Sequence, residues 1–443
     1  MVSRESMPAS CLISIVGPRD LALLDERTKE TLAVQGFNAG FSQIGYSSHD
    51  GIHLFLGVGP YEPAPQLLNE ACRYLPTHLP RSVTVSLPAG VPPDKVSNIL
   101  NVISISITER GGLLQEPQTS HDRPKRTVAV AESIDLAKTW TNLPAQDSAP
   151  LNLADRIVDA ATSFGLSATL MNATELQARG LGSILGVGAG SPHEPCLLHL
   201  TYKNPHAQER VCFVGKGVTF DTGGLSLKTP ESQMFMRMDK AGAAVAAASA
   251  IAASRLNSAM EIHAILPLAE NMIGPSALRP GDVVHALNGM SIQVLDTDFE
   301  GRVLLADALT YASSLAPDSI IDLATLTYQS EIALGPRVGA LLSNSDELSE
   351  RLVTCSSVAG EHLWPLPLMD EYRNQVEKDN GVKNHPESPS GRAITAALFL
   401  QAFIGADIAW AHIDMTGPSW SGPASADGAT GFGVRTLAQF LSQ

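Results

Sequence analysis

The stretch LDTDFEGRVLLAD, Leu295 to Asp307, decides how the chain is read. It places Asp296, Asp298, Glu300 and Arg302 within seven residues. Strand side chains return to one face at every second residue, so an extended segment points Asp298, Glu300 and Arg302 the same way. Two carboxylates and a guanidinium beside a glycine make a poor core. They suit a site that holds cations and a polar substrate group. The apolar run Val303 to Tyr311 reads as a helix and follows at once. The acidic face therefore falls where a strand hands over to a helix. In open α/β sheets, the crevice at the carboxyl ends of the strands is where ligands bind.

Outward from this stretch, apolar runs and helical patterns alternate. Strands are expected at 168–171, 196–202, 211–214, 261–267, 291–295, 319–323, 338–342 and 408–413, and helices at 128–140, 153–164, 241–253, 303–312, 347–359, 392–404 and 434–441. The pattern predicts an α/β fold in two domains. The larger, C-terminal, covers residues 128–443 and is built on a central, largely parallel mixed sheet flanked by helices. Residues 1–127 read as a small N-terminal α/β domain with its linker. Its apolar runs lie at 11–17, 51–59, 82–90 and 101–107, a helical pattern at 64–74, and a polar connection at 108–127. The Ala-rich run 241–253 is too short to span a bilayer. It is expected as a buried helix packed closely under the sheet.

Of the 443 residues, 44% are hydrophobic and 17% charged, with a formal net charge of −15. This is a soluble globular composition, and its acidity makes nucleic acid and anionic membranes poor partners. The five cysteines are scattered, odd in number and free of any CxxC pair. They read as free thiols in a reducing compartment, and no secretory signal opens the chain, so the cytoplasm is expected. No GxSxG elbow, GxGxxG or P-loop string occurs, which argues against a serine hydrolase and against a nucleotide cofactor.

A second stretch answers the first. VCFVGKGVTFDTGGLSLK (Val211 to Lys228) and MRMDKAGAA (Met236 to Ala244) add Lys216, Asp221, Lys228 and Asp239. Buried carboxylates at this density repel one another unless cations compensate them. Two divalent metals would do so. Asp221 and Glu300 are then expected to bridge the pair, with Asp239 on one ion and Asp298 on the other. On spacing alone, two readings of Lys216 stand: a neutral amine ligand whose pKa the nearby cations depress until it loses its proton, or a charged partner in salt bridges. Lys228, after the DTGG turn, reads either as a cation that stabilises a developing oxyanion or as a surface lysine. Arg302 offers planar, bidentate donors to a carboxylate or small oxyanion. No histidine or carboxylate near the motif is left over as an obvious general base.

The segments VGKGVTFDTGGLSLK, MRMDKAGAA, ENMIGPSALRPGDVV and DTDFEGRVLLADALTYA occur in order with NLPAQDSAP, the DLATLT segment from Asp322, and WAHIDMTG. Together they resemble the leucyl (cytosol) aminopeptidase family, the M17 metallopeptidases, whose signature is NTDAEGRL, over residues 128–443. The resemblance implies an aminopeptidase that removes the N-terminal residue of short peptides by a two-metal-activated water, with zinc or manganese. It implies metal ligands at Lys216, Asp221, Asp239, Asp298 and Glu300, and a catalytic pair at Lys228 and Arg302. It also implies a bicarbonate ion on Arg302 as general base, a substrate pocket that includes Met236, Thr325 and Tyr328, and a homohexamer.

Five positions depart from the family pattern. Asp296 replaces Asn, Phe299 a small residue, and Tyr328 a glycine; Lys240 and Ala241 stand where Met and Gly are common. The Tyr328 ring predicts selectivity narrowed against bulky N-terminal residues. The carboxylates alone also allow a two-metal phosphoesterase. A hexameric scaffold or DNA-binding role, as in some family members, is the third reading, and the acidic balance argues against it.

Overall fold

The computed structural model describes residues 10–16, 18–21, 24–35, 37, 39, 43–47, 52–57, 65–73, 75, 79, 82–87, 91, 93–110, 113–114, 123–422 and 428–443. The chain divides into two compact units, residues 1–132 with 355–361, and residues 133–354 with 362–443.

The first unit carries a five-stranded sheet in the order Ile44–Ser47, Ile52–Gly57, Ser10–Val16, Ser82–Ser86, Leu113–Leu114. Helices Pro65–Cys72 and Pro93–Thr108 accompany it. The apolar run 101–107 lies in the second of these helices. Its alternation of Ile and Ser reads locally like a strand, yet every residue from Val102 to Ser106 is buried, so the helix has no polar face there to reveal its period. The first nine residues, and residues 111–112 and 115–122 of the expected connection, lie outside the described residues.

The second unit is organised by a nine-stranded mixed sheet. Its path runs Leu363–Pro365, Gly339–Ser343, Ala409–Asp414, Ser319–Ala324, Arg210–Gly215, Glu261–Asn271, Cys196–Tyr202, Ser167–Met171, with Gly217–Asp221 beside the later half of Glu261–Asn271. The central strands, from Ala409–Asp414 to Glu261–Asn271, pair parallel. Antiparallel pairs flank them on either side. All six residues of Ser319–Ala324 are buried, as a strand covered on both faces requires.

Helices Ala241–Arg255 and Glu300–Ser314 pack on the central strands. Every residue of 241–253 is buried. Their small side chains let the helix backbone ride directly on the sheet: a Cβ at Gly242 would stand 2.1 Å from the Leu323 carbonyl oxygen.

The strand expected at 291–295 is Ser291–Gln293, and it does not join the central sheet. It belongs to a separate four-stranded sheet with Val283–His285, Gly381–Lys383 and Glu377–Lys378. Gly289, at φ +82°, lets the chain turn back tightly enough for Ser291–Gln293 to pair with the strand just before it.

Candidate active site

The site is built at the carboxyl ends of the central strands, beginning with a break at Lys216. Arg210–Gly215 pairs with the first half of Glu261–Asn271, and Gly217–Asp221 with the second half. Between them the Lys216 N–H donates to the Leu323 carbonyl at 2.9 Å, and its own carbonyl accepts from the Ala243 N–H at 2.8 Å. The buried side chain of Lys216 reaches Asp239 Oδ1 (2.7 Å), Glu300 Oε1 (2.9 Å) and the Thr325 carbonyl (3.1 Å).

Asp221 closes its strand and opens the DTGG turn, where Gly223 and Gly224 take φ of +85° and +63°. One carboxylate oxygen of Asp221 accepts from the Gly223 N–H and from Asn271 Nδ2, both at 2.8 Å. The turn brings Lys228 back over the cluster, where its ammonium pairs with Asp221 Oδ2 at 2.9 Å and with Asp298. Asp239 comes from the 3₁₀ turn Met236–Lys240 that leads into the Ala-rich helix. Its Oδ1 accepts from Thr325 Oγ1 at 2.7 Å, and its Oδ2 is buried with no hydrogen-bond partner among the described residues.

The segment 296–302 is not extended, which corrects the sequence reading. Helix Glu300–Ser314 already begins at Glu300. Asp296 Oδ1 accepts from the Asp298 N–H at 2.9 Å, bending the chain. Asn384 pins the bend, accepting from the Leu295 N–H at 2.8 Å and donating to the Asp296 carbonyl at 2.6 Å. An asparagine at 296 would offer the same side-chain oxygen, so this departure from the signature keeps the turn.

Two of the three side chains still converge. Asp221, Asp298 and Glu300 each present an oxygen within 4.8 Å of the others. Arg302 diverges, because a residue two positions along a helix is rotated by roughly 200°. It is buried against Phe299, with its Cζ 4.7 Å from the ring centroid, and near Phe399 at 5.9 Å. Arg302 Nε and Nη1 have no hydrogen-bond partner among the described residues.

Electrostatics mark the cluster as short of positive charge. Burial, with Asp221 and Glu300 nearby, lifts the Asp298 pKa to about 7. Burial also lifts Asp239 to about 8, Glu300 and Asp221 adding to it against the pull of Lys216. Glu300 is raised by burial and then by Asp221. For Lys216 and Lys228, burial opposes the charge, but the surrounding carboxylates outweigh it and both pKa values rise. Two ammonium groups thus face four carboxylates, and one buried Asp239 oxygen has no donor among the described residues. An all-oxygen set of this kind fits hard or borderline divalent cations.

The expected pocket residues lie at different depths. Thr325 is buried against Asp239 and Lys216, and Met236 is half-buried in the turn that carries Asp239. Tyr328 opens helix Tyr328–Leu334, capped by Thr327, with 64% of its surface exposed. Lys240 is buried and donates to the carbonyls of Leu143 and Arg237. The sequence reading missed a supporting ring. Asn271 ties Asp221 to the Thr297 carbonyl, Asn384 forms the bend, and Asp414 accepts from the Thr327 N–H and hydroxyl. Asn271 and Asp414 lie inside motif segments already singled out, ENMIGPSALRPGDVV and WAHIDMTG, and a buried polar residue within such a segment is the signal that points to them. Asn384 has no such mark.

Compared with known proteins, residues 135–438 match the profile of the cytosol aminopeptidase family, catalytic domain. A probable cytosol aminopeptidase of Roseiflexus castenholzii is 43% identical over 318 residues, 71% of this chain and 65% of that relative. One from Prochlorococcus marinus strain MIT 9211 is 42% identical over 340 residues, 75% of this chain and 68% of the relative. The match therefore spans about two thirds of these relatives' length. Among solved structures, the bottromycin maturation enzyme BotP in complex with Mn superposes with a TM-score of 0.86 at 32% identity, covering 98% of this chain and 99% of that one. A mutant tomato leucine aminopeptidase gives a TM-score of 0.86 at 26% identity, covering 100% of this chain and 95% of its own.

Proposed function

This chain belongs to the cytosol aminopeptidase family, and we propose that it is a metal-dependent aminopeptidase that removes the N-terminal residue of short peptides. The observation that carries the reading is the convergence of Asp221, Asp298 and Glu300 within 4.8 Å, in a buried cluster with fewer cations than carboxylates. Lys216, Asp221, Asp239, Asp298 and Glu300 would hold two divalent ions, zinc or manganese; the Mn complex of a structural relative supports the second. Such ions supply a water of lowered pKa and a polarised carbonyl.

The chain's own residues do the rest. Lys216 stands ion-paired in the structure, and to act as a ligand it would lose a proton to solvent as nearby cations depress its pKa. Lys228, anchored by Asp221, would place its ammonium where negative charge develops on the attacked carbonyl oxygen. The unpartnered N–H groups of Arg302 would hold a planar anion, bicarbonate, to act as general base. Thr325, Met236 and Tyr328 would line the pocket for the N-terminal side chain. Residues 128–443 would form the catalytic domain, in a cytoplasmic homohexamer. No helix among the described residues is long and apolar enough to cross a membrane.

Chelation should abolish hydrolysis of an aminoacyl p-nitroanilide, and zinc or manganese should restore it. Full activity without metal would overturn the reading. Turnover of p-nitrophenyl phosphate in its place would favour a phosphoesterase.

A further inference from the structure

Around the ring of Phe299 the structure gathers three basic groups. The Arg302 Cζ lies 4.7 Å from the ring centroid and the Arg392 Cζ 5.3 Å from it. The His385 ring packs on the same ring at 4.7 Å. Arg392 opens the ten-residue helix Arg392–Gln401, after Gly391 in the left-handed region at φ +67°. Its Nη2 is 3.3 Å from His385 Nε2, and its Nε is buried with no hydrogen-bond partner among the described residues. Arg302 is 2% exposed, with Nε and Nη1 likewise unpartnered. Neither arginine forms an ion pair with a carboxylate among the described residues. The two guanidinium carbons are no more than about 10 Å apart, since both sit close to one ring.

Two like charges held this close, Arg302 buried and Arg392 half-buried, repel each other, and a ring quadrupole compensates them only in part. Their unused donors call for an acceptor with several in-plane oxygens. The nearby carboxylates are engaged elsewhere: Glu300 with Lys216, Asp414 with Thr327 and Thr416, and Asp296 with the Asp298 N–H.

We propose that Arg392 is a positioning residue of this site: held against Phe299, its charge adds to that of Arg302 and tightens the grip on a small planar oxyanion of the bicarbonate class. The inference rests on the aminopeptidase reading, in which Arg302 holds such an anion, and extends it to a second arginine. Phe299, which replaces a small residue of the family signature, is the surface that keeps the two guanidinium groups together.

The test is calorimetric titration of bicarbonate into zinc-loaded protein in carbon-dioxide-free buffer. Wild type is compared with Arg392→Gln, Arg392→Lys and Arg302→Gln, with zinc content and melting temperature measured on each. Losing one unit charge within about 10 Å should weaken bicarbonate about tenfold in Arg392→Gln. Arg392→Lys, which keeps the charge, should recover most of that loss. Zinc content and melting temperature should stay at wild-type values. Equal affinity in wild type and Arg392→Gln overturns the role of Arg392. So does equal weakening in the Gln and Lys variants, which would mean that the guanidinium only packs. If wild type binds no bicarbonate, or Arg302→Gln binds it as well as wild type, the anion reading of Arg302 falls and the inference with it.

Discussion

Gly301 lies against the side chain of Lys216. A methyl there would stand 2.5 Å from Lys216 Cε and 2.7 Å from its Nζ, whereas ordinary contact begins at 3.4 Å. The lysine tip would have to withdraw by about 1 Å, a displacement of the size that can cost an active site about 100-fold in rate. It is not free to do so without loss, because Asp239, Glu300 and the Thr325 carbonyl hold it at 2.7, 2.9 and 3.1 Å. Stability should move less. Overpacking costs about 1–3 kcal/mol, and alanine in a helix returns about 1 kcal/mol relative to glycine. Gly301→Ala should therefore fold, melt within a few degrees of wild type, bind less metal, and lose about 100-fold in kcat/KM. Circular dichroism melts, metal analysis and leucyl p-nitroanilide hydrolysis would measure these three quantities. A variant with full metal content and wild-type kcat/KM would refute the idea that the bare glycine backbone sets the place of Lys216.

Lys228→Ala should keep its metal and lose about 10²–10³ in kcat, the size of one transition-state stabiliser, while Asp239→Ala should lose metal; elemental analysis beside turnover shows whether these roles are exchanged. Tyr328→Gly should raise kcat/KM for leucyl and phenylalanyl over alanyl substrates by about 10–200-fold, and an unchanged ranking would place the ring outside the pocket. Asp322→Asn should destabilise the second unit by about 3–5 kcal/mol, because it leaves buried His412 without its ion partner; urea unfolding within a kcal/mol of wild type would show the pair to be dispensable. For His412, burial opposes the charge, but Asp322 outweighs it and the folded pKa lies above the usual value. The stabilisation is then complete below the ordinary histidine pKa of about 6.5 and is lost as pH rises through the folded value. Wild-type stability should fall across that window, and Asp322→Asn should flatten the fall.

The legible parts of this sequence were those whose physics is local. Residues 241–253 are so rich in alanine that only a buried helix suits them, and they form one. The apolar runs of the central strands announced themselves because strands covered on both faces need no polar alternation. The acids of the site stood out by composition. What misled was Asp298, Glu300 and Arg302 at every second position, which imitates a strand. The bend that replaces it depends on Asn384, 88 residues away from Asp296, and no local pattern carries that information. The break at Lys216 is equally silent, since it exists only because Leu323 and Ala243 claim its backbone. Arg392 reaches Phe299 from a different helix, and nothing in either segment alone indicates the pairing.

The contact of Gly242 with the Leu323 carbonyl limits how such a chain can drift over generations. A side chain at Gly242 would meet backbone, not a flexible tip that can step aside. The helix would be pushed off the strand end that holds the Lys216 break in place. Substitutions there are therefore screened by folding and by chemistry at once, and a lineage has almost no neutral path through them. Tyr328 and Ile332, 64% and 67% exposed on another helix, carry no such double burden. Variation can accumulate at their positions while residues 241–253 stay fixed.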